Sequence, residues 1–291
     1  MLTNDYKRTL ILDFDGSVFL PENIEKFDLR IHEEKLRYSA KFSDMTRLES
    51  IIKKGLEKHR TFFLGSGDLH HISYLLIKNI PQERLQVIVF DNHTDNMFFP
   101  AGIHCGSWVY HASMLPHVSN ISVFGIASRD LTGLDLIQNH FSVIKSGKVK
   151  YYCLTPVSKY ASLLSGAKIK DISASRKNIA DVLKEHLKDN SLPVYLSLDK
   201  DVFLNDVVRT TWDQGLLSEG EILKCVEELA PYIIAADIVG DISFYKYKNP
   251  LKRIMQWMDK KEQPPYNIEK ERMKHLHINM KILSFLKGIS N

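Results

Sequence analysis

The chain is poor in cysteine, and the three it has, Cys105, Cys153 and Cys225, lie far apart. They form no C-x-x-C pair and no even-numbered framework, which excludes a disulfide scaffold and points to free thiols in a reducing compartment. A dominant charge is also lacking. The formal net charge is +4 over 291 residues, too weak for the basic footprint of a nucleic-acid-binding protein. Basic residues gather late, at Lys246, Lys248, Lys252, Arg253, Lys260 and Lys261, but acidic residues and a Pro-Pro step interrupt them. They read as a solvated face. No apolar run is long enough to span a bilayer, and Met1 to Arg8 is polar, unlike a signal peptide. Internal repeats, low-complexity tracts and Gly/Ser linkers are missing as well. What remains is a cytoplasmic chain, read as one domain over residues 1–291, with a small-molecule substrate and neither nucleic acid nor membrane as partner.

Short apolar, β-branched or aromatic runs are plentiful. They are Thr9–Phe14, Thr61–Leu64, Gln86–Phe90, Ile121–Ala127, Val149–Cys153, Val194–Leu198 and Ile233–Val239. Such runs read as strands buried on both faces. Helical patterns separate them. Met45–Lys58 aligns Leu48, Ile51, Ile52 and Leu56, and Arg176–Leu187 aligns Ile179, Val182, Leu183 and Leu187. Ser218 with Glu221 has the spacing of a capping box that opens a helix through Leu229. Pro250 to Tyr266 reads as irregular, and a last amphipathic helix is expected over Ile268–Leu286. Alternation of this kind predicts an α/β fold with a parallel sheet covered by helices on both faces.

In such sheets function collects at the carboxyl ends of the strands, and the polar clusters sit there. Gly65-Ser66-Gly67-Asp68-Leu69-His70-His71 follows one strand, Asp91-Asn92-His93-Thr94-Asp95 the next, and Ser197-Leu198-Asp199-Lys200-Asp201 closes a later one. On extended backbone, residues two apart project to one side. Asp91, His93 and Asp95 would then converge, and so would Asp199 and Asp201, with His70 or His71 adding a nitrogen. Four carboxylates with one or two imidazoles suit Mn²⁺ or a similar divalent ion better than a structural zinc. Crowded carboxylates repel one another unless cations sit between them, and two ions can share and acidify a water. Taken singly, each cluster is more often a turn or a helix cap. The inference rests on all three occurring in order at strand ends.

In this the sequence resembles the arginase–agmatinase–formiminoglutamase (ureohydrolase) superfamily, whose members carry G-G-D-H-S, D-A-H-x-D and S-x-D-x-D in the same order. Asp91, His93 and Asp95 match the second motif, and Ser197, Asp199 and Asp201 the third. The resemblance covers most of the chain, from the strand near Thr61 to the final helix. It implies a three-layer α/β/α sandwich around a mostly parallel eight-stranded sheet. It also implies a pair of Mn²⁺ ions bridged by Asp91 and Asp199. His70 and Asp95 would complete one ion, and His93 and Asp201 the other. The implied enzyme is a binuclear metal-dependent hydrolase of a C–N bond in a guanidino, amidine or amide substrate, acting through a metal-bridging hydroxide, in a chain that can form homo-oligomers.

The sequence departs from that pattern in three places. Leu69 separates Asp68 from the histidine pair, so the first motif is one residue out of register; His70 is taken as the ligand and His71 as the alternative. The family's proton-transfer His-Gly step is replaced by His104-Cys105-Gly106, which makes His104 and Cys105 the candidates for that role. A strand-end Glu that pairs with the guanidinium is replaced by Gly240, leaving Asp241 as the neighbouring carboxylate. Trp212 and Asp213 fall on a loop expected to line the pocket.

A rival reading comes from Leu10-Ile11-Leu12-Asp13-Phe14-Asp15-Gly16-Ser17, which resembles the first motif of haloacid-dehalogenase-type phosphatases. Val239-Gly240-Asp241 and Ser66 would serve as their Mg²⁺ and phosphate groups. This leaves Asp91, His93, Asp95, Asp199 and Asp201 without a role, whereas the ureohydrolase reading needs only that Asp13 and Asp15 be turn residues. A third reading, a metal-binding homologue without catalysis, would retain the ligands alone.

Overall fold

The structure, a computed structural model, describes residues 8–133, 135–166, 168–173, 178–258 and 267–287. Its strands are β1 (Thr9–Asp13), β2 (Glu25–Asp28), β3 (Ser39–Ala40), β4 (Thr61–Gly65), β5 (Leu85–Phe90), β6 (Ile103–His104), β7 (Val118–Ile126), β8 (Val149–Cys153), β9 (Ile169–Asp171), β10 (Val194–Asp199) and β11 (Ile233–Val239). Its helices are α1 (Glu33–Leu36), α2 (Phe42–Lys58), α3 (Ile72–Lys78), α4 (Trp108–Ser113), α5 (Phe141–Lys145), α6 (Lys159–Ser165), α7 (Ile179–Lys188), α8 (Glu219–Leu229), α9 (Pro250–Met258) and α10 (Ile268–Leu286).

The central sheet has nine strands among the described residues, in the order β2-β1-β4-β11-β10-β5-β7-β8-β9. Every pairing in it is parallel. The resemblance implies eight, and the apolar runs mark seven. The unforeseen strands are the two edges, β2 with the sequence EKFD and β9 with IKD. Edge strands carry charge where central ones carry apolar side chains, so they lack the signal by which buried strands are recognised.

Alternation along each strand splits the core into two layers. Leu10 and Leu12, Val87 and Val89, and Val123 face one side, where Met45, Leu48 and Ile52 of α2, Leu75 of α3 and Val109 of α4 cover them. Ile11, Ile88, Phe90, Leu196 and Leu198 face the other, under Leu183 of α7, Val226 of α8 and Ile282 of α10. Each such side chain contributes about 1.5–3 kcal/mol on burial. The result is the expected α/β/α sandwich.

Several local expectations hold and several do not. α8 opens on the capping box, with Glu221 N–H donating to Ser218 Oγ and Ser218 N–H donating to Glu221 Oε2. α2 starts three residues before Met45, and Ile51 faces solvent. α7 begins at Ile179; Arg176 lies outside the described residues. The stretch expected to be irregular contains α9. Asn249 Oδ1 accepts from the N–H groups of Leu251 and Lys252, and Pro250 occupies the first helical position, where its missing N–H costs nothing. Residues 259–266 of that stretch lie outside the described residues. Lys252 is not part of a solvated face. It is buried, and its ammonium donates to the carbonyls of Glu34, Lys35 and Arg37 at the end of α1. None of the described helices is long and apolar enough to cross a membrane.

The sheet order brings the carboxyl ends of β4, β11, β10 and β5 side by side at the centre. β10 and β11, late in the chain, insert between strands made early. The crevice where strand order reverses is the ligand-binding position of open α/β sheets.

Candidate metal centre

β5 ends at Phe90, and the chain then turns. His93 N–H donates to Asp91 Oδ1 at 2.6 Å, an Asx turn. Asp95 adopts a left-handed backbone with φ 47°, a conformation that costs a non-glycine residue roughly 1–2 kcal/mol and that aspartate tolerates better than most. The side chains of this loop therefore converge through a turn, not through the extended backbone that the spacing suggested. Trp108, at the start of α4, secures the far end by donating from Nε1 to Asp95 Oδ2 at 2.6 Å. The β10 loop is built in the same way. Asp201 N–H donates to Asp199 Oδ1 at 2.9 Å as a short 3-10 turn begins.

The structure brings all six expected ligands together. His70 Nδ1 lies 3.2 Å from Asp91 Oδ2, 3.0 Å from Asp95 Oδ2 and 3.4 Å from Asp199 Oδ2. His93 Nδ1 lies 2.9 Å from Asp201 Oδ2 and 3.5 Å from Asp91 Oδ1. Two groups of potential ligands result, His70/Asp91/Asp95 and Asp91/His93/Asp201, sharing Asp91. The choice between the histidines falls on His70. His71 is fully buried and belongs to neither group; burial, then the charges of His104, Lys252 and His70, push its imidazole well below the usual range.

The outward nitrogen of each ligand histidine is committed. Ser197 gives its single O–H to Asp237 Oδ1 at 2.8 Å. It must therefore accept from His70 Nε2, 2.9 Å away. Asp213 Oδ1, 2.8 Å from His93 Nε2, can only accept when ionised. Both rings thus carry their outer proton on Nε2 and turn Nδ1 inward, as metal-binding histidines do.

The inward nitrogens face carboxylates, so the centre demands positive charge. Asp91 Oδ2 is buried without a well-directed hydrogen bond. Burial, then repulsion from Asp91, pushes both Asp95 and Asp201 up to about 7. Burial and Asp201 push Asp199 up as well. Burial opposes charge on both histidines, yet the carboxylates win and raise them: Asp91 and Asp95 for His70, Asp201 and Asp213 for His93. Without a cation the cluster satisfies itself with protons. A donor set of four carboxylates and two correctly turned imidazoles fits a pair of divalent ions.

The other expected site residues fare differently. Asp241 does not line the centre. It is fully buried, with Oδ1 paired to Lys200 Nζ at 2.7 Å and accepting from Asn279 Nδ2 of α10 at 3.4 Å. Gly240 has φ 91°, and a side chain there would collide with Asp199 Oδ1 and Lys200 N, so no glutamate fits beside this loop. His104 and Cys105 are buried near Tyr38 and Tyr247. His104 Nδ1 accepts from Gly106 N–H at 2.9 Å. Trp212 joins that apolar patch to the centre, its ring 5.8 Å from that of His93.

Asp13 and Asp15 are turn residues, accepting from the backbone of Gly16 and Ser17 respectively. Asp15 does more: it accepts from Ser66 N–H and from buried Arg37. Arg37 in turn donates to Asp68, which accepts from Trp212 Nε1 and Tyr247 Oη. Nothing in the sequence marked Arg37, since an isolated arginine between short elements carries no pattern.

The sequence matches the Arginase family over residues 23–241. The chain belongs to the arginase family. An uncharacterised protein of Thermotoga maritima is 26% identical over 249 residues, 83% of this chain and 84% of that protein. Solved structures of the same fold include proclavaminate amidino hydrolase from Streptomyces clavuligerus (TM-score 0.58, 14% identity, 98% of this chain and 93% of that one). They also include the agmatine ureohydrolase of Thermoplasma volcanium (0.56, 14%, 98% and 91%) and arginase from Bacillus subtilis (0.57, 15%, 96% and 98%). Against the family pattern, this arginase-family chain keeps the D-x-H-x-D residues Asp91, His93 and Asp95 and the S-x-D-x-D residues Ser197, Asp199 and Asp201, and has Gly240 in place of the strand-end Glu.

Proposed function

We propose that the chain, acting as a single domain, is a cytoplasmic binuclear metal-dependent hydrolase that cleaves a C–N bond in a small guanidino, amidine or amide substrate. Mn²⁺ is the ion that best suits the carboxylate-rich set of His70, Asp91, His93, Asp95, Asp199 and Asp201. The observation that carries the reading is the paired commitment of His70 and His93. Each outer nitrogen donates to an oxygen, so each inner nitrogen is the one turned toward the shared Asp91 and open to an ion that displaces its proton. The amidino hydrolase and agmatine ureohydrolase of the same fold fit this substrate class.

When bound, a divalent pair supplies an acidified water and charge stabilisation at the carbon under attack. The chain's own residues do the rest. Trp212 closes one side of the centre against His93. His104, whose Nδ1 accepts from Gly106, holds its proton at Nε2, 3.9 Å from Cys105 Sγ. This pair is the proposed source of the proton that the leaving nitrogen takes up.

Metal analysis of protein loaded with Mn²⁺, combined with a substrate screen, tests the reading. Two ions per chain and turnover of arginine, agmatine, formiminoglutamate or an acylated polyamine are expected. Fully active protein without metal, or turnover confined to phosphate esters, would overturn it.

A further inference from the structure

Asp213 sits on the loop between β10 and α8, with its side chain 65% exposed. An exposed carboxylate is ordinarily a weak and mobile partner. This one is held. Asn92 Nδ2, from between the two ligands Asp91 and His93, donates to the Asp213 carbonyl at 3.0 Å. Thr210 Oγ1 both donates to the Trp212 carbonyl and accepts from Trp212 N–H. Gln214 bonds Thr210 N–H and the Phe203 carbonyl, and Gly215 N–H bonds the carbonyl of the ligand Asp201. Trp212 is tied through Nε1 to Asp68 at 3.1 Å. The turn over 210–215 is thereby fastened to both ligand loops, with Asp213 Oδ1 2.8 Å from His93 Nε2.

We propose that Asp213 is the positioning residue of the more exposed half of the centre: it fixes the ring and tautomer of His93, so that the ion taken by Asp91, His93 and Asp201 depends on it and the ion taken by His70 and Asp95 does not. Asp213 belongs to neither group of potential ligands. It acts through His93, as carboxylates behind ligand histidines do. This rests on the two-ion reading above.

The test is titration of the metal-free full chain with Mn²⁺, followed by calorimetry and by the EPR signal of a coupled ion pair. Wild-type protein should take up two ions. Asp213→Ala should keep the first affinity and weaken the second by roughly 10–100-fold, with loss of the coupled signal at limiting metal. Asp213→Asn, whose amide oxygen still accepts from Nε2–H, should recover part of that loss. Two unchanged affinities in Asp213→Ala, or equal weakening of both, would overturn the assignment while leaving the two-ion reading intact. Wild-type protein that takes up no second ion would sink both readings.

Discussion

The two halves of the centre solve one problem in different surroundings. On the inner side His70 is buried, backed by Ser197, which leans on Asp237, and Asp95 is held by Trp108. On the outer side His93 is 17% exposed and backed by an exposed carboxylate on a loop. Each histidine donates outward from Nε2 and turns Nδ1 toward the carboxylates. The inner side obtains this from packed neutral and buried groups, where an unpaired atom is costly to leave. The outer side obtains it from a charge in water, where the bond itself is worth little to stability. Ligand geometry can thus be rigid in one place because the core forbids alternatives, and in another because a loop is fastened.

Removing a carboxylate that we propose serves both halves should have the largest effect. Asp199→Ala is expected to lower kcat by at least about 10³-fold, since charge stabilisation by a metal ion is worth several kcal/mol; steady-state kinetics against metal-loaded wild type would show it. Next is the support beneath the loop that serves both halves. Lys200→Met strands Asp241 in the core and should destabilise the fold by about 3–5 kcal/mol in urea unfolding. Unchanged stability would return Asp241 to the list of substrate-binding candidates.

The two sides then separate. Ser197→Ala on the inner side should cost about 1–3 kcal/mol through the unpaired groups it leaves. Asp213→Ala on the outer side should shift stability by no more than about 1 kcal/mol. Equal shifts in thermal melting would break the distinction.

Acidification should act on both sides alike. Asp95 on one side and Asp201 on the other are pushed up to about 7 in the metal-free centre. Below that pH they hold protons that an incoming ion must displace, so affinity should fall as pH drops, by up to about tenfold per unit for each. Competition titrations at pH 8 and pH 6 would reveal it, and a flat profile would count against these two as ligands. The smallest effect is expected far from the comparison: Asp13→Asn should leave hydrolysis nearly unchanged in the same kinetic assay, and loss of activity there would revive the phosphatase reading.

Much of this was legible in the residues. All seven apolar runs are strands of the sheet, because strands buried on both faces must be apolar throughout. The residues of the candidate centre were legible because their chemistry is local to three short motifs. The edge strands and α9 were not: the former carry surface charge, and the latter starts at an Asn-Pro step that reads equally well as a turn. Arg37 was invisible because its partners, Asp15, Asp68 and Ser243, come from distant segments.

By itself the sequence determined the layer architecture, the six candidate ligand residues and the absence of a glutamate at 240. Periodicity and side-chain chemistry are properties of neighbouring residues. Only the tertiary structure decided that His70 and not His71 enters the centre, that Asp241 belongs to Lys200, and that Asp213 meets a histidine 120 residues earlier in the chain. Those pairings follow from the order in which β4, β11, β10 and β5 lie side by side, and strand order is a property of the folded sheet that no local pattern encodes.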